Sequence, residues 1–179
     1  MHFKELDFRS IPLRTLCTAS TNAISELIEL AKSGIVDGLT AQEYGQYLFG
    51  AALVACQAYA VGAVTDINTI RSASGKPPLS KIELYKSNMT NKNSHSFILL
   101  INSLANYFKH HEEWQSWPDN ETTRTLRHYG INENTEFPLS EGISTILGES
   151  SDLRGLCEIL ESWRFSQIQF ESASNVITR

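Results

Sequence analysis

Apolar residues recur along this chain at the spacing of α-helices. Between residues 18 and 33 they return every three or four positions, which places them on one helix face: Ile24, Leu27, Ile28 and Ala31. Gly34 is expected to end that helix, because glycine readily adopts the left-handed conformation found just past a helix C-terminus. A second pattern predicts a helix from about Ser94 to Trp114, with one apolar side formed by Phe97, Ile101, Leu104 and Phe108.

A longer helix is predicted between these two. The sequence Thr40-Ala-Gln-Glu43 has the form of a capping box, in which two side chains satisfy backbone N–H groups at a helix start. The helix is expected to continue to Ser74, before Gly75-Lys-Pro-Pro stops it, and Asp37 and Gly38 are expected to form a turn ahead of it. Its small residues allow close approach of neighbouring helices: Gly45, Gly50, Ala51, Ala55, Ala58 and Gly62.

The remaining patterns complete an all-α prediction. Shorter helices are expected at 79–86 and from Asp119 or Asn120 to His128, where Gly130 ends the helix. Ser140 is expected to open a short turn through Leu147, and a last helix begins at Ser151 or Asp152. Residues 88–93 and 131–140 are expected to be loops, and no stretch alternates apolar and polar residues as a strand does.

The predicted fold is a single-domain helical bundle of about six helices over residues 1–179. Its two long central helices, 40–74 and 94–116, are expected to pack antiparallel. Residues 1–17 are expected to be irregular because Pro12 interrupts them, and residues 166–179 are expected to form a mobile tail.

The stretch from Tyr44 to Thr65 carries no charged residue and is long enough to span a bilayer. It is rich in alanine and glycine, contains Gln46 and Gln57, and is flanked by acidic residues without the Lys/Arg bias that orients a membrane helix. We therefore predict a buried helix of a soluble bundle, without membrane contact.

Composition narrows the class of protein. Three scattered cysteines without a CxxC pair favour a reducing compartment, and the N-terminus lacks the apolar core of a signal peptide, so the predicted location is cytoplasmic. Lys and Arg total 15 against 20 Asp and Glu, a net charge of -5. That balance argues against a broadly basic nucleic-acid coat and leaves room for a local basic groove.

Candidate chemistry lies near the end of the helix predicted at 94–114. At 100° per residue its polar residues gather opposite the apolar side: Asn102, Asn106, Lys109, His110 and Glu113. His110 is a candidate general acid/base, Asn106 one turn earlier an orienting group, and Lys109 a cation for a developing oxyanion. Those parts suit metal-independent RNA cleavage by an attacking 2′-hydroxyl. The alternative is a solvated face on which His110 pairs with Glu113, while His111 is expected to be partly buried with a satisfied hydrogen bond.

Residues 105–110, Ala-Asn-Tyr-Phe-Lys-His, resemble the motif of the HEPN superfamily of all-helical domains. That motif has an arginine, usually a polar residue next, and a histidine four to six positions on; here Ala105, Asn106 and His110 stand at those positions. The resemblance implies an RNA-directed ribonuclease of prokaryotic toxin–antitoxin or phage-defence systems, often a homodimer whose motif helices meet at a two-fold axis. With alanine at the arginine position, it equally implies a degenerate relative that binds or regulates.

Other residues are secondary candidates. Arg124, Arg127 and His128 form a basic helix end that could contact RNA phosphates, and Trp114 could stack on a base or, with Trp117, simply cover the helix end. A zinc site from His110, Glu113 and His128 has no supporting motif, so neither a metal nor a cofactor is predicted. The rival function is a non-enzymatic interaction or regulatory module with an antitoxin-like or other protein partner, which the acidic net charge favours.

Overall fold

The computed structural model describes residues 7–87, 96–150 and 152–174, and these form helices without any strand. The helices are α1 (Ser10–Lys32), α2 (Gly38–Ala73), α3 (Lys81–Lys86), α4 (Phe97–His110), α5 (Glu121–His128), α6 (Pro138–Leu147) and α7 (Arg154–Ser174). A 3-10 turn, His111–Glu113, follows α4 directly. The all-α prediction is confirmed, while the loop predicted at 88–93 lies outside the described residues.

Helix α1 begins earlier than the sequence pattern indicates. The irregular segment predicted for residues 1–17 is wrong from Ser10 onward, because Pro12 lies in the first helical turn. There a missing N–H breaks no intrahelical bond. At the other end Gly34 has φ +74°, and Ile35 donates its N–H to the Leu30 carbonyl, which confirms the predicted glycine stop.

The N-cap residue of helix α2 is Asp37, so the helix starts at Gly38 and not after Thr40. The Asp37 carboxylate accepts hydrogen bonds from the Thr40 N–H at 2.9 Å and from the Thr40 hydroxyl at 2.6 Å. These bonds hold the pKa of Asp37 below its usual range. The predicted turn at Asp37–Gly38 and the predicted Thr40 capping box are therefore wrong. Asp37, not Thr40, is the N-cap residue whose side chain accepts the first hydrogen bonds of the helix. The predicted end of the helix is correct to within one residue.

Helix α2 is the centre of the bundle. Helix α4 packs against it in the antiparallel direction, since Gly50 meets Phe108 and Gln57 meets Asn102. A Cβ at Gly50 would lie 2.2 Å from the Phe108 ring, so the two backbones approach closely only because this position is glycine. The predicted antiparallel pair is confirmed, although α4, with 14 residues against 36, is much the shorter member.

Helices α1 and α7 cover the other side of α2. The hydroxyl of Ser10 and the guanidinium of Arg14 on α1 both bond the Glu161 carboxylate on α7. The guanidinium of Arg164 on α7, 8% exposed, lies 3.3 Å from Asp66 of α2 and 3.8 Å from Asp7. The tail predicted at 166–179 is helical from 166 to 174, and the rest of it lies outside the described residues.

Three cysteine side chains meet where α1, α2 and α7 pack together. Cys17, Cys56 and Cys157 are free and fully buried. A hydrogen bond with Cys157 lowers the pKa of Cys17, but a bond with Cys56 and burial outweigh it and raise that pKa to about 12. A hydrogen bond with Cys17, together with burial, raises the pKa of Cys157 as well. The folded protein therefore holds these groups as unreactive thiols.

Helix α2 is also the one helix among the described residues with the length and composition to cross a membrane. Its most apolar window has a mean hydropathy of 1.7, and 44% of that window is buried within the fold. The core helix of a soluble protein can have the same length and composition. The packing of α2 against α1, α4 and α7 fits that prediction. The cytoplasmic location itself stays a prediction.

Candidate functional site

A polar network joins α2 to α4 beneath the residues predicted to be catalytic. The Gln57 side-chain N–H group donates to the Asn102 and Asn106 side-chain oxygens, at 2.9 and 2.8 Å. The Gln57 side-chain oxygen accepts from the Lys109 ammonium at 2.8 Å. Gln57 and Asn102 are both buried. Asn102, which the sequence pattern groups with the polar side of the helix, is therefore buried, because α2 supplies an amide that pairs with it.

The predicted catalytic residues occupy different surroundings. His110 is half exposed, and its Nδ1 lies 3.5 Å from the Glu113 carboxylate, the contact expected in the alternative interpretation. Asn106 bonds Gln57 and, at 3.4 Å, Thr122 of α5, so its hydrogen bonds in the described structure hold helices together. Lys109 is exposed but tied to Gln57. These three residues share a helix turn, and no described contact joins the histidine to the other two.

Two neighbours of this turn point inward. Ala105, at the position of the HEPN arginine, is fully buried, so a longer side chain there would enter the core. His111 is partly buried, its Nδ1 lies 3.0 Å from the Tyr107 carbonyl oxygen, and its ring stacks on Tyr107 with centroids 4.5 Å apart. The prediction of a partly buried histidine with a satisfied hydrogen bond is confirmed.

The basic end of α5 is paired with acids. Arg124 forms two hydrogen bonds to the Asp119 carboxylate, at 2.8 and 3.0 Å, and Arg127 lies 3.8 Å from the Glu133 carboxylate. The His128 ring meets Tyr129 edge-on at 5.2 Å. A phosphate bound here would have to compete with these carboxylates.

The tryptophans after α4 form a compact aromatic cluster. Trp114 and Trp117 pack against each other at 5.6 Å, and each lies 5.7 Å from the Tyr107 ring. Trp114 is half-buried, which fits a cover over the end of α4 better than a free stacking platform. The cluster also fixes the Tyr107 ring, which forms part of an adjoining groove.

That groove is the site that the sequence did not predict. It has a volume of about 350 Å³ and lies between the first turns of α2, the end of α4 and residues 136–139. Gln46 of α2 positions its far wall, accepting the Leu139 N–H at 2.9 Å and donating to the Ser140 hydroxyl at 2.8 Å. Four aromatic rings line it: Tyr47, Tyr107, Phe108 and Phe137. We call it the aromatic groove.

The aromatic groove carries strong negative charge. Glu43, Glu112 and Glu136 stand around it, and His111 is the only basic type of side chain in its lining. Among the described residues none of these three carboxylates has an ion-pair partner. Aromatic faces and unpaired carboxylates both attract cations. The site therefore favours a positively charged ligand.

The structure provides no metal centre in the part of the chain it describes. No group of three or more His, Cys, Asp and Glu side chains there could hold a metal ion. His110, Glu113 and His128 accordingly do not converge on a common point. The three core cysteines do not form such a site either, although they meet in space.

Comparisons of the chain with models of protein families, with curated proteins and with solved structures find no match. Two regions of the described structure have side chains suited to a function: the aromatic groove and the exposed turn of Lys109 and His110.

Proposed function

We propose that this protein is a non-enzymatic interaction module whose aromatic groove binds a positively charged segment of another protein. The observation that carries the proposal is the combination of four aromatic rings with three carboxylates that have no ion-pair partner among the described residues. Tyr47 is exposed and the other three rings are half-buried, so part of each ring is open to a ligand. The net charge of -5 acts in the same direction, since it attracts a basic partner over distance.

Arginine and lysine are the side chains that suit this groove best. Guanidinium and ammonium groups bind over aromatic faces, and a carboxylate beside the ring strengthens the contact. A volume of about 350 Å³ is at the lower end of ligand pockets and accommodates one or two long side chains. The bound segment is therefore short and contributes few anchors.

The proposal is tested with a fluorescently labelled peptide of alternating arginine and leucine. Fluorescence anisotropy should show binding that weakens with salt, while the same peptide with glutamate in place of arginine should not bind. Glu43→Gln and Glu136→Gln should each weaken binding by about two- to fivefold, the size of one exposed ionic or cation–π contact.

The matched control is Glu26→Gln on α1, which removes the same charge from an exposed position outside the groove. It should leave the affinity within experimental error. Equal weakening by Glu26→Gln and Glu43→Gln would mean that only the net charge attracts the peptide, and the groove would not be its site.

A second candidate function is the HEPN-like contact with RNA, and the exposed turn of α4 favours it. His110 is half exposed and follows Lys109 directly, so an RNA phosphate could meet both side chains at once. In this proposal His110 is the general acid/base and Lys109 the cation, while Arg124, Arg127, His128 and Trp114 extend the contact along α5 and the aromatic cluster. The protein would then be a ribonuclease or a binding relative in prokaryotic defence.

Cleavage and binding of labelled RNA test this candidate. His110→Ala should abolish cleavage and change stability by within about 0.5 kcal/mol, because the side chain is half exposed. EDTA should have no effect on a mechanism that uses only a base, an acid and a cation. His111→Ala is the control, since it should lower stability through the Tyr107 contact and leave the chemistry in place.

The arginine of the HEPN motif cannot be restored as a test. Ala105 is fully buried, so Ala105→Arg would disrupt the core before it could create a phosphate ligand. RNA binding by the wild type is therefore the decisive measurement. Absence of both binding and cleavage would leave the aromatic groove as the functional site.

A further inference from the structure

The side of α2 that faces solvent carries no charged residue between Tyr44 and Thr65. Seven residues at alternating steps of three and four form this side, which we call the outer face of α2: Tyr44, Tyr47, Ala51, Val54, Ala58, Val61 and Thr65. Tyr47 is 62% exposed, Tyr44 54% and Val61 45%, and Ala51, Ala58 and Thr65 are exposed as well. Most buried residues of α2 lie on the opposite side of the helix, while Gly50, Gln57 and the half-buried Val54 lie along the edge where α4 packs.

An exposed helix face normally carries charged residues, and this one carries none. Helix α1 widens the apolar surface beside it. The residues of α1 that bond α7, Ser10, Arg14 and Thr21, lie on one side of that helix. On the other side, next to α2, lie Leu16, Ala23, Leu27 and Leu30, and Leu16 and Leu30 are 39% and 38% exposed. A surface of this extent and composition is typical of an interface.

We infer that the outer face of α2 binds the same face of a second copy of this chain, antiparallel, with the two-fold axis beside Val54. Steps of three and four residues are the spacing at which two helices pack side by side along a common seam. In a dimer with two-fold symmetry, the same surface of each chain forms the interface. The inference uses no RNA chemistry, and it places Tyr47 and Glu43, which also border the aromatic groove, at the dimer interface.

Side-chain size supports the antiparallel pairing. About an axis at Val54, Tyr44 of one copy lies opposite Thr65 of the other, and Tyr47 lies opposite Val61. Ala51 lies opposite Ala58, so the helices approach most closely near the middle. Each tyrosine of the seam thus meets a smaller residue, whereas a parallel pair would place tyrosine against tyrosine.

Charge at the two ends of the face supports the same direction. Glu43 precedes the face and Asp66 follows it, and Asp66 is bonded by Arg9 at 2.7 Å. The Arg9 side chain lies over Gly62 and is 45% exposed. An antiparallel pair brings Glu43 of one copy toward the neutral Arg9–Asp66 ion pair of the other, so no like charges meet there without a counterion. A parallel pair would bring Glu43 toward Glu43 instead.

Light scattering on the purified full chain tests the dimer directly. At micromolar concentration the mass should be about 40 kDa, twice the chain mass of 20.1 kDa. Ala51→Glu alone and Ala58→Arg alone should each yield a monomer, because each places charges in the seam. The double variant should dimerise again, since each new glutamate then faces a new arginine of the other copy.

Thr18→Glu on α1 is the matched control, because Thr18 is exposed on the side of α1 opposite Leu16. It should leave the mass at that of a dimer. A monomeric wild type across the micromolar range would overturn the inference, as would a dimer that Ala51→Glu leaves intact. A double variant that stays monomeric would overturn the antiparallel pairing.

Disulfide crosslinking provides a second measurement that needs no charged variant. Val54→Cys lies at the axis, so its two copies should crosslink under mild oxidation. Tyr47→Cys should not, because its counterpart in an antiparallel pair is Val61. Crosslinking of both variants would indicate a parallel pair and contradict the proposal. The three natural cysteines are fully buried and do not compete.

A lipid surface is the other apolar environment that this face could meet. Flotation with phosphatidylcholine vesicles, with and without phosphatidylglycerol, distinguishes the two. The dimer predicts that wild-type protein stays in the aqueous fraction with either vesicle. Stable association with vesicles that Ala51→Glu abolishes would assign the outer face of α2 to the membrane and overturn the dimer.

Discussion

At the scale of single residues, contacts made by small and polar side chains determine how α4 sits on α2. Gly50 allows the Phe108 ring to lie against the α2 backbone, and Gln57 supplies the hydrogen bonds for Asn102, Asn106 and Lys109. Both residues are on α2, and neither stands out in the sequence from the other glycines and glutamines of that helix. Their roles become visible only when α4 is placed beside them.

Gly50→Ala should destabilise the protein by about 1–3 kcal/mol, the usual cost of overpacking a core position. Alanine favours helix by about 1 kcal/mol over glycine, so any net loss reports the collision with Phe108. Urea unfolding followed by circular dichroism measures the difference. Gly38→Ala is the control, because a Cβ there meets nothing within 4 Å. Its stability should equal or slightly exceed that of the wild type.

Gln57→Leu should also destabilise the protein, by about 1–3 kcal/mol, because it leaves the buried Asn102 oxygen without a donor. Thermal unfolding measures the loss. A double variant, Gln57→Leu with Asn102→Leu, should recover part of it, since both polar partners are then replaced. An unchanged melting temperature for Gln57→Leu would show that solvent satisfies Asn102 and that the network contributes little.

The sequence was informative about residues whose neighbours are local and uninformative about the rest. His111 was correctly predicted to be partly buried, because its partner Tyr107 lies one turn earlier on the same helix. The pattern placed Asn102 on the polar side of α4 without indicating that it is buried, because its partner Gln57 is on another helix. The catalytic roles of Asn106, Lys109 and His110 stay predictions.

At the scale of elements, the helices follow the hydrophobic pattern closely, and errors concentrate at their starts. The ends of α1 and α2 were predicted from Gly34 and Gly75, which both have positive φ, because a glycine stop is a property of one residue. The starts depend on which of several polar residues accepts the first hydrogen bonds. Asp37 does so for α2, where Thr40 was predicted.

The Asp37 cap gives α2 a pH-dependent start. Its folded pKa lies below the usual value because Thr40 donates to the carboxylate, so its stabilisation is present above that usual value and is lost as the pH falls through the folded pKa. Asp37→Asn retains a capping oxygen that does not titrate. Denaturant unfolding at pH 6 and pH 3 should show the variant gaining stability relative to the wild type at the lower pH.

Asp37→Ala is the comparison, because it lacks a capping oxygen at either pH. It should be less stable than the wild type at pH 6, with the gap narrowing at pH 3 as the wild-type carboxylate is protonated. A wild type and an Asp37→Asn variant that respond identically to acid would indicate that the cap does not form in solution.

At the scale of the whole molecule, the groups that matter are assembled from distant parts of the chain. The aromatic groove draws on α2, α4 and residues 136–139, and the Arg164 ion pairs join α7 to Asp66 and Asp7. A pattern of helices predicts that such elements pack together. It does not predict which side chains meet, since that depends on the rotation of each helix about its own axis.

Arg164→Met should destabilise the protein by about 3–5 kcal/mol, because it leaves the buried Asp7 carboxylate without its counterion. The equally charged Arg154 pairs with Asp152 at the surface, so Arg154→Met is the control and should change stability by at most about 1 kcal/mol. Parallel urea titrations of the two variants measure the contrast. Similar losses of stability in the two variants would show that the Asp7 carboxylate reaches solvent.

The meeting of Cys17, Cys56 and Cys157 equips the protein with an internal reporter of its own opening. One thiol belongs to each of α1, α2 and α7, so a water-soluble thiol reagent reaches any of them only when these helices separate. Three labels added together, without singly labelled species, would identify the three helices as one cooperative unit. The labelling rate in native buffer would then give the free energy of that opening. The same protection confines oxidative damage at these sulfurs to molecules that have already opened.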